Sequence, residues 1–498
     1  MTAVVTVKSK FQQAEKLFND VGQQYVVLND SAGASTINFA SAANQDSALA
    51  NFKGLGNLTG PHVVKKHEVN NYYIGIGRAE DWNDSDVAPS PSVNPRQERL
   101  LRYSLQAVKK VDDYKFVIPR YNWTSGANYN AYDDNQTGYP SNAYYVLTDE
   151  NNVYICLQKG TNNLGEVQPS TVKPTGVATG AFTTADGYTW KFLYAIDATN
   201  ANKYLAANYM PVEKVVADSA NDPTLTAAQT QQVGIQNAAI AGAITSIALD
   251  SGGAGYVNAP AITIVGNGSS ATAHAYVSGG VIKKIAFDSA SFFGSGYTYA
   301  SITIADSSGV TKPAVARPVI GPKAGFGADP REDLKSSSVM FNVQPAGTVN
   351  GTWPLNDFRQ VGLIKNPLVL GYDSDRNYYE GAEARATKKL TVSGGITGFD
   401  NDDTITQSGT GAKAYVVKTN GDFIYYNQTE KTGFTAFDSS AITSSPGGGS
   451  ATITKIWLSD ADSDAVDNLT GDILYIDNRA AVQRSISQTE DLKVVITI

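Results

Sequence analysis

The chain of 498 residues has one cysteine and three histidines. The single cysteine, Cys156, excludes an internal disulfide and indicates folding in a reducing compartment. Cys156 lies in an apolar string that is typical of a buried strand, and His62, His67 and His274 lack the spacing of a zinc site. The sequence therefore predicts no metal and no other cofactor.

Charged residues are also scarce, at 17% of the chain, compared with about 25% in typical globular proteins. The formal net charge of −8 argues against a nucleic-acid partner, because such a partner needs clustered Lys and Arg. Glycine and tyrosine are abundant, with 45 and 27 residues. This composition favours a β-rich protein whose surfaces are covered by neighbouring chains.

Long apolar runs are missing as well. A bilayer requires about 20 apolar residues, whereas the least polar window, 238–249, contains Thr and Ser and predicts a buried strand. Near the N-terminus, Lys8 and Lys10 interrupt the apolar residues before a secretion signal could form. We predict a soluble protein without a membrane partner and without a secretion signal.

What the chain does contain is two internal duplications. Residues 243–264 are repeated as 281–304, and residues 398–417 are repeated as 436–456. Each copy alternates β-branched residues with breaks at Gly, Ser and Asn, which predicts a small β-meander. Modules of this kind enlarge a surface and rarely host chemistry.

The sequence predicts a mainly β fold with a few helices. It indicates an α+β, multi-domain, β-sandwich-like frame with two inserted β-repeat modules. The predicted segments are an N-terminal frame 1–234, an inserted module 235–318, a frame continuation 319–388, a second inserted module 389–456 and C-terminal frame strands 457–498.

Two helices are predicted near the start of the frame. Residues 8–21 have apolar side chains at helical spacing. A second helix is predicted over 95–110, with Asn94 as N-cap and Pro95 in its first position. Its apolar face would consist of Leu101, Leu105 and Val108.

Strands are predicted along the rest of the frame, and residues 115–235 are predicted to form strands and turns. Loose alternation in two of these strands, 153–157 and 191–196, indicates that both of their faces are covered. The predicted strands are 24–28, 71–77, 115–123, 142–148, 152–160, 187–196, 339–344, 358–364, 472–486 and 492–498.

Carboxylates give no strong metal or catalytic pattern. Asp460, Asp462 and Asp464 imitate the start of a calcium loop, but Ala465 and Gly471 occupy the positions where that loop needs Gly and Glu. A second acidic group, Asp400, Asp402 and Asp403, lies at a turn that could bind calcium loosely, and a solvated turn is the preferred prediction. Nucleophile-elbow and phosphate-loop motifs are missing, so we predict that the protein is not an enzyme.

Several blocks of the frame resemble the baseplate wedge subunit of contractile-tailed bacteriophages of the T-even type, the product of gene eight. Both chain ends, 9–22 and 472–498, are similar to that family too, and 325–334 resembles versions from phages of cyanobacteria. The specificity comes from the order of the blocks, since none is a catalytic signature. The blocks are IGIGRAEDW (74–82) with APSP (88–91), VIPRYNW (117–123), DGYTWKFLYAI (186–196) and DFRQVGLIKNP (357–367).

The resemblance implies a non-enzymatic structural protein of the virion tail baseplate, assembled in the host cytoplasm. It implies a homodimer that contacts other wedge proteins and has no nucleic-acid or membrane partner. Tyr, Trp and Arg are favoured anchors at such interfaces. The predicted interface anchors are Arg78, Trp82, Arg120, Trp123 and Arg359, and each of them fits a role in the core or in holding a turn equally well.

Two other functions fit the same residues. The repeat modules, with their Gly-Tyr turns, also suit a carbohydrate-binding or receptor-binding tail adhesin. A polysaccharide-degrading enzyme is the third hypothesis, although no carboxylate pair stands out for it.

Overall fold

A computed structural model describes most of the chain from residue 71 onward. Before that point it describes only the backbone of four strands, so the predicted helix 8–21 lies outside the described residues. The described ranges are 2–5, 23–30, 33–38, 62–68, 71–82, 85–139, 142–216, 225–305, 309–345, 352–371, 378–457, 462–485 and 490–497.

Helices are few and short. None of the helices in these ranges is long and apolar enough to cross a membrane. They are α1 (Pro95–Ser104), α2 (Ala198–Tyr204), α3 (Ala227–Asn237) and α4 (Pro330–Asp333), with a 3₁₀ turn at Ala290–Phe292.

Strands dominate, at 42% of residues against 9% in helices, which confirms the predicted mainly β fold with a few helices. The first strands are β1 (Thr2–Val5), β2 (Gln23–Asp30), β3 (Gly33–Asn38), β4 (His62–Glu68), β5 (Tyr72–Gly77), β6 (Leu105–Lys110), β7 (Tyr114–Pro119), β8 (Tyr145–Leu147), β9 (Asn152–Gln158), β10 (Phe182–Thr183), β11 (Thr189–Ala195) and β12 (Tyr209–Val212). Next come β13 (Ile244–Ser251), β14 (Ile262–Gly266), β15 (Ser269–Ala271), β16 (His274–Ser278), β17 (Val281–Ala286), β18 (Phe293–Ser295), β19 (Ala300–Ile304) and β20 (Val315–Ile320). The last are β21 (Ser338–Val343), β22 (Phe358–Lys365), β23 (Val369–Leu370), β24 (Glu383–Arg385), β25 (Lys388–Ser393), β26 (Thr404–Thr406), β27 (Lys413–Asn420), β28 (Phe423–Asn427), β29 (Ala441–Ser445), β30 (Ser450–Trp457), β31 (Asp462–Val466), β32 (Asp472–Val482) and β33 (Leu492–Thr497).

The chain forms two compact units, each built from separate stretches of sequence. The first unit combines Met1–Asp112 with Val343–Leu492, and the second combines Asp113–Asn342 with Lys493–Ile498. The five predicted segments follow the order of the chain, whereas the two units combine separate stretches. The boundaries of the five segments stay predictions.

The first unit contains a seven-stranded sheet in the order β23-β31-β24-β6-β5-β22-β32. Its central strands are buried almost throughout, because α1 packs on the sheet. A Cβ atom added at Gly362 on β22 would lie 2.4 Å from Leu101 Cδ2 of α1. The missing side chain at Gly362 therefore allows the close approach of helix and sheet.

The predicted second helix is confirmed at its start and wrong at its end. The Asn94 side chain accepts hydrogen bonds from the backbone of Arg96 and Gln97, as predicted for the cap. The helix ends at Ser104, and Leu105 begins strand β6, which is paired on both sides. Leu105 and Val108 are buried as residues of this strand, and they pack in the same core cluster as Leu101 of the helix. Their helical spacing therefore combines residues of two different elements.

The second unit contains two four-stranded sheets, ordered β10-β11-β9-β8 and β12-β7-β21-β33. The inner residues of β9 and β11 are all buried, which confirms that both faces of these strands are covered. The prediction of only strands and turns over 115–235 is wrong, because α2 and α3 lie in this stretch. Ile235 of α3 packs in the aromatic core beside Trp190.

The first repeat module is arranged about a local two-fold axis. Residues 262–264 and 302–304 correspond between the copies, and Thr263 pairs with Thr303 across β14 and β19. The outer strands follow the same symmetry: β13 of the first copy pairs with β20, which follows the second copy, and β17 of the second copy pairs with β16, which follows the first. Ile244 and Ile320 pair with each other, so the module begins and ends at neighbouring points.

The predicted buried strand at 238–249 is only half correct. Strand β13 begins at Ile244, whereas 238–243 connect it to the end of α3. This connector is apolar by composition, but Ile240 is 59% exposed.

The second repeat module is a closed barrel in the order β25-β28-β27-β26-β29-β30. Ile405–Thr406 matches Ile442–Thr443 in sequence, and Thr406 pairs with Thr443, so this module also has a local two-fold axis. Lys389 pairs with Trp457 where the barrel begins and ends. The barrel has a separate apolar core of its own.

Candidate functional site

A cluster of two arginines lies beside β5 and β22 in the first unit. Arg359 of β22 is 6% exposed, and its Nε donates to both carboxylate oxygens of Asp86, at 2.8 and 3.0 Å. The same guanidinium pairs with Asp81 and donates to the carbonyl of Ala79. Arg359 thus fastens the loop that follows β5 to the neighbouring strand.

Arg78 occupies the first position of that loop in a left-handed conformation, with φ 61°. Its side chain is 8% exposed, and its Nη2 donates to the Asp81 carbonyl at 2.7 Å. Glu80 lies 3.5 Å from the same guanidinium. Burial lowers the pKa of Arg78, and Glu80 opposes this effect.

Trp82 lies at the exposed side of the cluster. The Arg78 guanidinium lies 4.2 Å from the centre of the Trp82 ring, a favourable cation–π distance. The indole Nε1 donates to the Arg479 carbonyl of β32 at 2.9 Å. The ring is half-buried and held in one orientation from two sides.

Asp86 is the charge partner of the cluster. Hydrogen bonding from Arg359 holds the pKa of Asp86 below its usual value, and the backbone N–H of Trp82 adds to the effect at 3.1 Å. Asp86 has φ 49°, another left-handed position in the same loop. The carboxylate therefore stays charged at neutral pH and fixes the loop on β22.

The loop also contacts the barrel. Thr429 Oγ1 donates to Glu80 at 3.4 Å, and Lys431 Nζ donates to the Asp81 carbonyl at 3.2 Å. These bonds join residues that are about 350 positions apart in sequence. The Arg78–Asp86 loop is thus held by both the sheet and the second module.

The other two predicted anchors, Arg120 and Trp123, lie together in the second unit. Arg120 Nη1 donates to the Ala206 carbonyl at 3.1 Å, and Trp123 Nε1 donates to Ser170 Oγ at 3.1 Å. Both side chains are half-buried and line a groove of about 540 Å³. The groove also contains Lys173, which pairs with Asp149 at 2.6 Å.

Asp186 is a structural carboxylate that the sequence analysis did not single out. Its Oδ2 accepts hydrogen bonds from Ser170 Oγ and from the backbone of Thr171 and Val172, at 2.8–3.0 Å. Burial raises its pKa, but the hydrogen bonds prevail and hold the pKa below the usual value. The signal in the sequence was the Asp-Gly turn before β11.

The side chains that could act as nucleophiles or metal ligands have structural roles. Cys156 is fully buried, and burial raises the pKa of its thiol far above the usual range. The solvated turn predicted around Asp403 is wrong for this residue, which is 3% exposed and accepts from Ser444 Oγ at 2.6 Å. Across the described ranges, no three His, Cys, Asp or Glu side chains are grouped as metal ligands.

The five predicted anchors fall into two groups, one in each unit. Arg78, Trp82 and Arg359 come together in the first unit, and Arg120 and Trp123 come together in the second. The guanidinium groups of Arg78 and Arg359 are used within the chain, whereas both tryptophans are partly exposed. Their role as interface anchors stays a prediction.

Three of the sequence blocks that suggested a family are neighbours in space. Residues 74–77 lie in β5, 358–365 in β22 and 472–482 in β32, and β22 pairs with both of the others. No protein-family model matches the chain, and no curated protein matches it.

Proposed function

We propose that this protein is a structural component of a phage tail baseplate wedge, which dimerises and bridges other wedge proteins. It acts by assembly and catalyses no reaction. The observation that carries this proposal is the ordered set of family-like blocks. Three of those blocks supply adjacent strands of one buried sheet, which supports a common frame better than scattered chance matches would.

The loop from Arg78 to Asp86 is suited to a joint between subunits. Its charged side chains are paired within the chain, although Arg78 Nε has no hydrogen-bond partner among the described residues. The pairing leaves little conformational freedom to be lost on binding. It presents Trp82, an aromatic residue of the type that forms interface anchors. In the second unit the half-buried Trp123 has a comparable setting, with its Nε1 bonded to Ser170.

Self-association of the purified full chain tests this proposal. We expect a dimer in light scattering at micromolar concentration, and we expect Trp82→Ala or Trp123→Ala to weaken it. Tyr299→Ala is the matched control, because Tyr299 is an aromatic residue that is 66% exposed and lies outside the family-like blocks. A strict monomer contradicts the proposed dimer.

Location in the virus is the second readout. Cryo-electron microscopy of uncontracted tails should place the chain in the baseplate, with a tryptophan of the family-like blocks against a neighbouring subunit. Absence from purified tails contradicts the proposal. Location at a fibre tip would instead support the alternative adhesin function.

A further inference from the structure

A cleft in the second unit has features that assembly does not explain. It has a volume of about 520 Å³, within the range of roughly 300–1,000 Å³ that is typical of small-ligand sites. One wall is formed by β13 and β17 of the first repeat module. The facing wall comes from the frame, through segments 130–136 and 158–167.

Three lysines give the cleft a positive charge. Lys159 and Lys283 are exposed at its rim, and Lys284 is half-buried, with its Nζ 3.3 Å from the Thr161 carbonyl. Burial lowers the pKa of Lys284. Within the described part of the chain, none of these three ammonium groups forms an ion pair.

The carboxylate in the lining does not offset this charge. Asp133 pairs with Arg317 at 2.6 Å, and the same guanidinium reaches Asp134 at 3.2 Å. Hydrogen bonding from Arg317 holds the pKa of Asp133 below its usual value, against the opposing effect of burial. Lys335 lies beside this group, and its Nζ donates to the Asp133 carbonyl at 2.7 Å. Arg317 and Lys335 together balance Asp133 and Asp134, so the positive charge of the three lysines remains.

Tyr144 lines the cleft without offering its hydroxyl. The residue is 1% exposed, and its hydroxyl oxygen is buried and has no hydrogen-bond partner among the described residues. A ligand in the cleft therefore does not reach this oxygen. Side chains of Asn130, Thr161 and Ser246 supply further polar groups to the lining.

The two walls are fixed against each other. Gly165 has φ 76°, and a Cβ atom there would lie 2.2 Å from the Lys283 carbonyl. This turn of the frame therefore presses directly on β17. Because the walls are held by such contacts, the cleft is formed before any ligand arrives.

We infer that this cleft binds an acidic saccharide. The three lysines face the carboxylate, and the side chains of Asn130, Thr161 and Ser246 bond to the sugar hydroxyls. A nucleic acid would need an extended basic groove with stacking rings, whereas here the ammonium, hydroxyl and amide groups line one short cleft. The site does not depend on the proposed wedge function, and it would let a tail protein contact the acidic sugars of a cell envelope.

Calorimetric titration of the full chain with a trimer of uronic acid tests the inference, with a neutral glucose trimer for comparison. The isolated module 235–318 is unsuitable, since it lacks one wall of the cleft. We expect the acidic trimer to bind and the neutral trimer to bind at least about tenfold more weakly, since hydrogen bonds to charged groups are the stronger ones. Higher salt should weaken the binding.

Variants connect the binding to these residues. The double change Lys159→Gln with Lys283→Gln should weaken binding about tenfold or more. Asn130→Ala should also weaken it without unfolding the protein, because Asn130 is a half-buried residue of the lining. Lys312→Gln is the matched control, because Lys312 is an exposed lysine of the same module outside the cleft. Absence of binding, equal binding in the double variant, or inorganic phosphate binding as tightly as the acidic trimer overturns the assignment.

Discussion

Single buried arginines join distant parts of the sequence in this protein. Arg359 holds the loop after β5, and Arg484 pairs with Glu490 at 3.0 Å while donating to the carbonyl of Pro354. The side chain of Arg484 is 0% exposed. A charge buried this deeply is tolerable only with partners, so these arginines fix the path of the chain more than they add stability.

The pairing of Arg359 with Asp86 predicts a pH effect. The pKa of Asp86 is lower in the folded protein than in the unfolded chain, so its contribution to stability is present above the unfolded pKa of about 3.9. That contribution is lost as the pH falls through the folded value. In Arg359→Met we expect the pKa of Asp86 to rise toward its usual value, as measured by NMR titration of the carboxyl carbon.

The assignment of that carboxyl signal comes from Asp86→Asn, which removes it. Arg96→Met is the matched control, since the Arg96 side chain is 73% exposed. An unchanged titration in Arg359→Met would show that the Arg359 contact does not set this pKa.

At the scale of elements, periodicity predicted the strands well and the end of α1 badly. The strands β5, β9, β11 and β22 are apolar runs bounded by turn residues, and these signals are local. The switch from helix to strand at Leu105 depends on pairing with β5 and β24, which no local pattern contains.

Helix α3 was missed although a local signal for it was present. Thr226 and Gln229 form a capping box, in which each side chain bonds to the backbone of the other. The residues that follow are rich in Ala, Gln and Thr and form only a weakly amphipathic pattern, so the spacing of apolar residues did not predict a helix. For this helix the capping residues predict the start better than the apolar spacing does.

The barrel module should be removable as an element. Its first and last strands pair at Lys389 and Trp457, and antiparallel partners lie only about 5 Å apart. We expect a chain without 389–456 to stay folded and to melt cooperatively at a lower temperature, because bonds such as Asn427 to Leu105 are lost. Circular dichroism during heating measures this.

Removal of 404–427 alone is the matched control for that deletion. It takes out β26, β27 and β28 and opens the closed barrel, so we expect aggregation or loss of the cooperative melt. Loss of cooperative melting in the full deletion would mean that the rest of the first unit depends on the barrel.

At the scale of the whole molecule, the candidate sites were only partly predictable. The blocks 74–82 and 117–123 each contain an arginine and a tryptophan that lie together in the structure, and these pairs were visible because each block is continuous in sequence. The cleft was not predictable, since Tyr144, Lys159 and Lys283 belong to segments that only folding brings together. Separate stretches that form one surface leave no local signal.

Two compact units predict two steps of thermal unfolding. We expect Arg359→Met to lower the melting temperature of the first unit. We expect Thr226→Ala to lower the free energy of unfolding of the second unit by about 1 kcal/mol, because the helix cap is lost. Differential scanning calorimetry resolves the two unfolding transitions. Thr226→Ser keeps a capping hydroxyl and is the control. One transition that both variants shift equally would mean that the units unfold together.

The exchange of strands inside each repeat module has a consequence for its origin. In the barrel, β26 of the first copy pairs with β29 of the second, so each copy completes its hydrogen bonds on the other copy. A single copy made alone would leave open edges, and two identical copies would close them. Gene duplication and fusion of a small self-pairing peptide would produce this arrangement, with its ancestral symmetry still visible at Thr406 and Thr443.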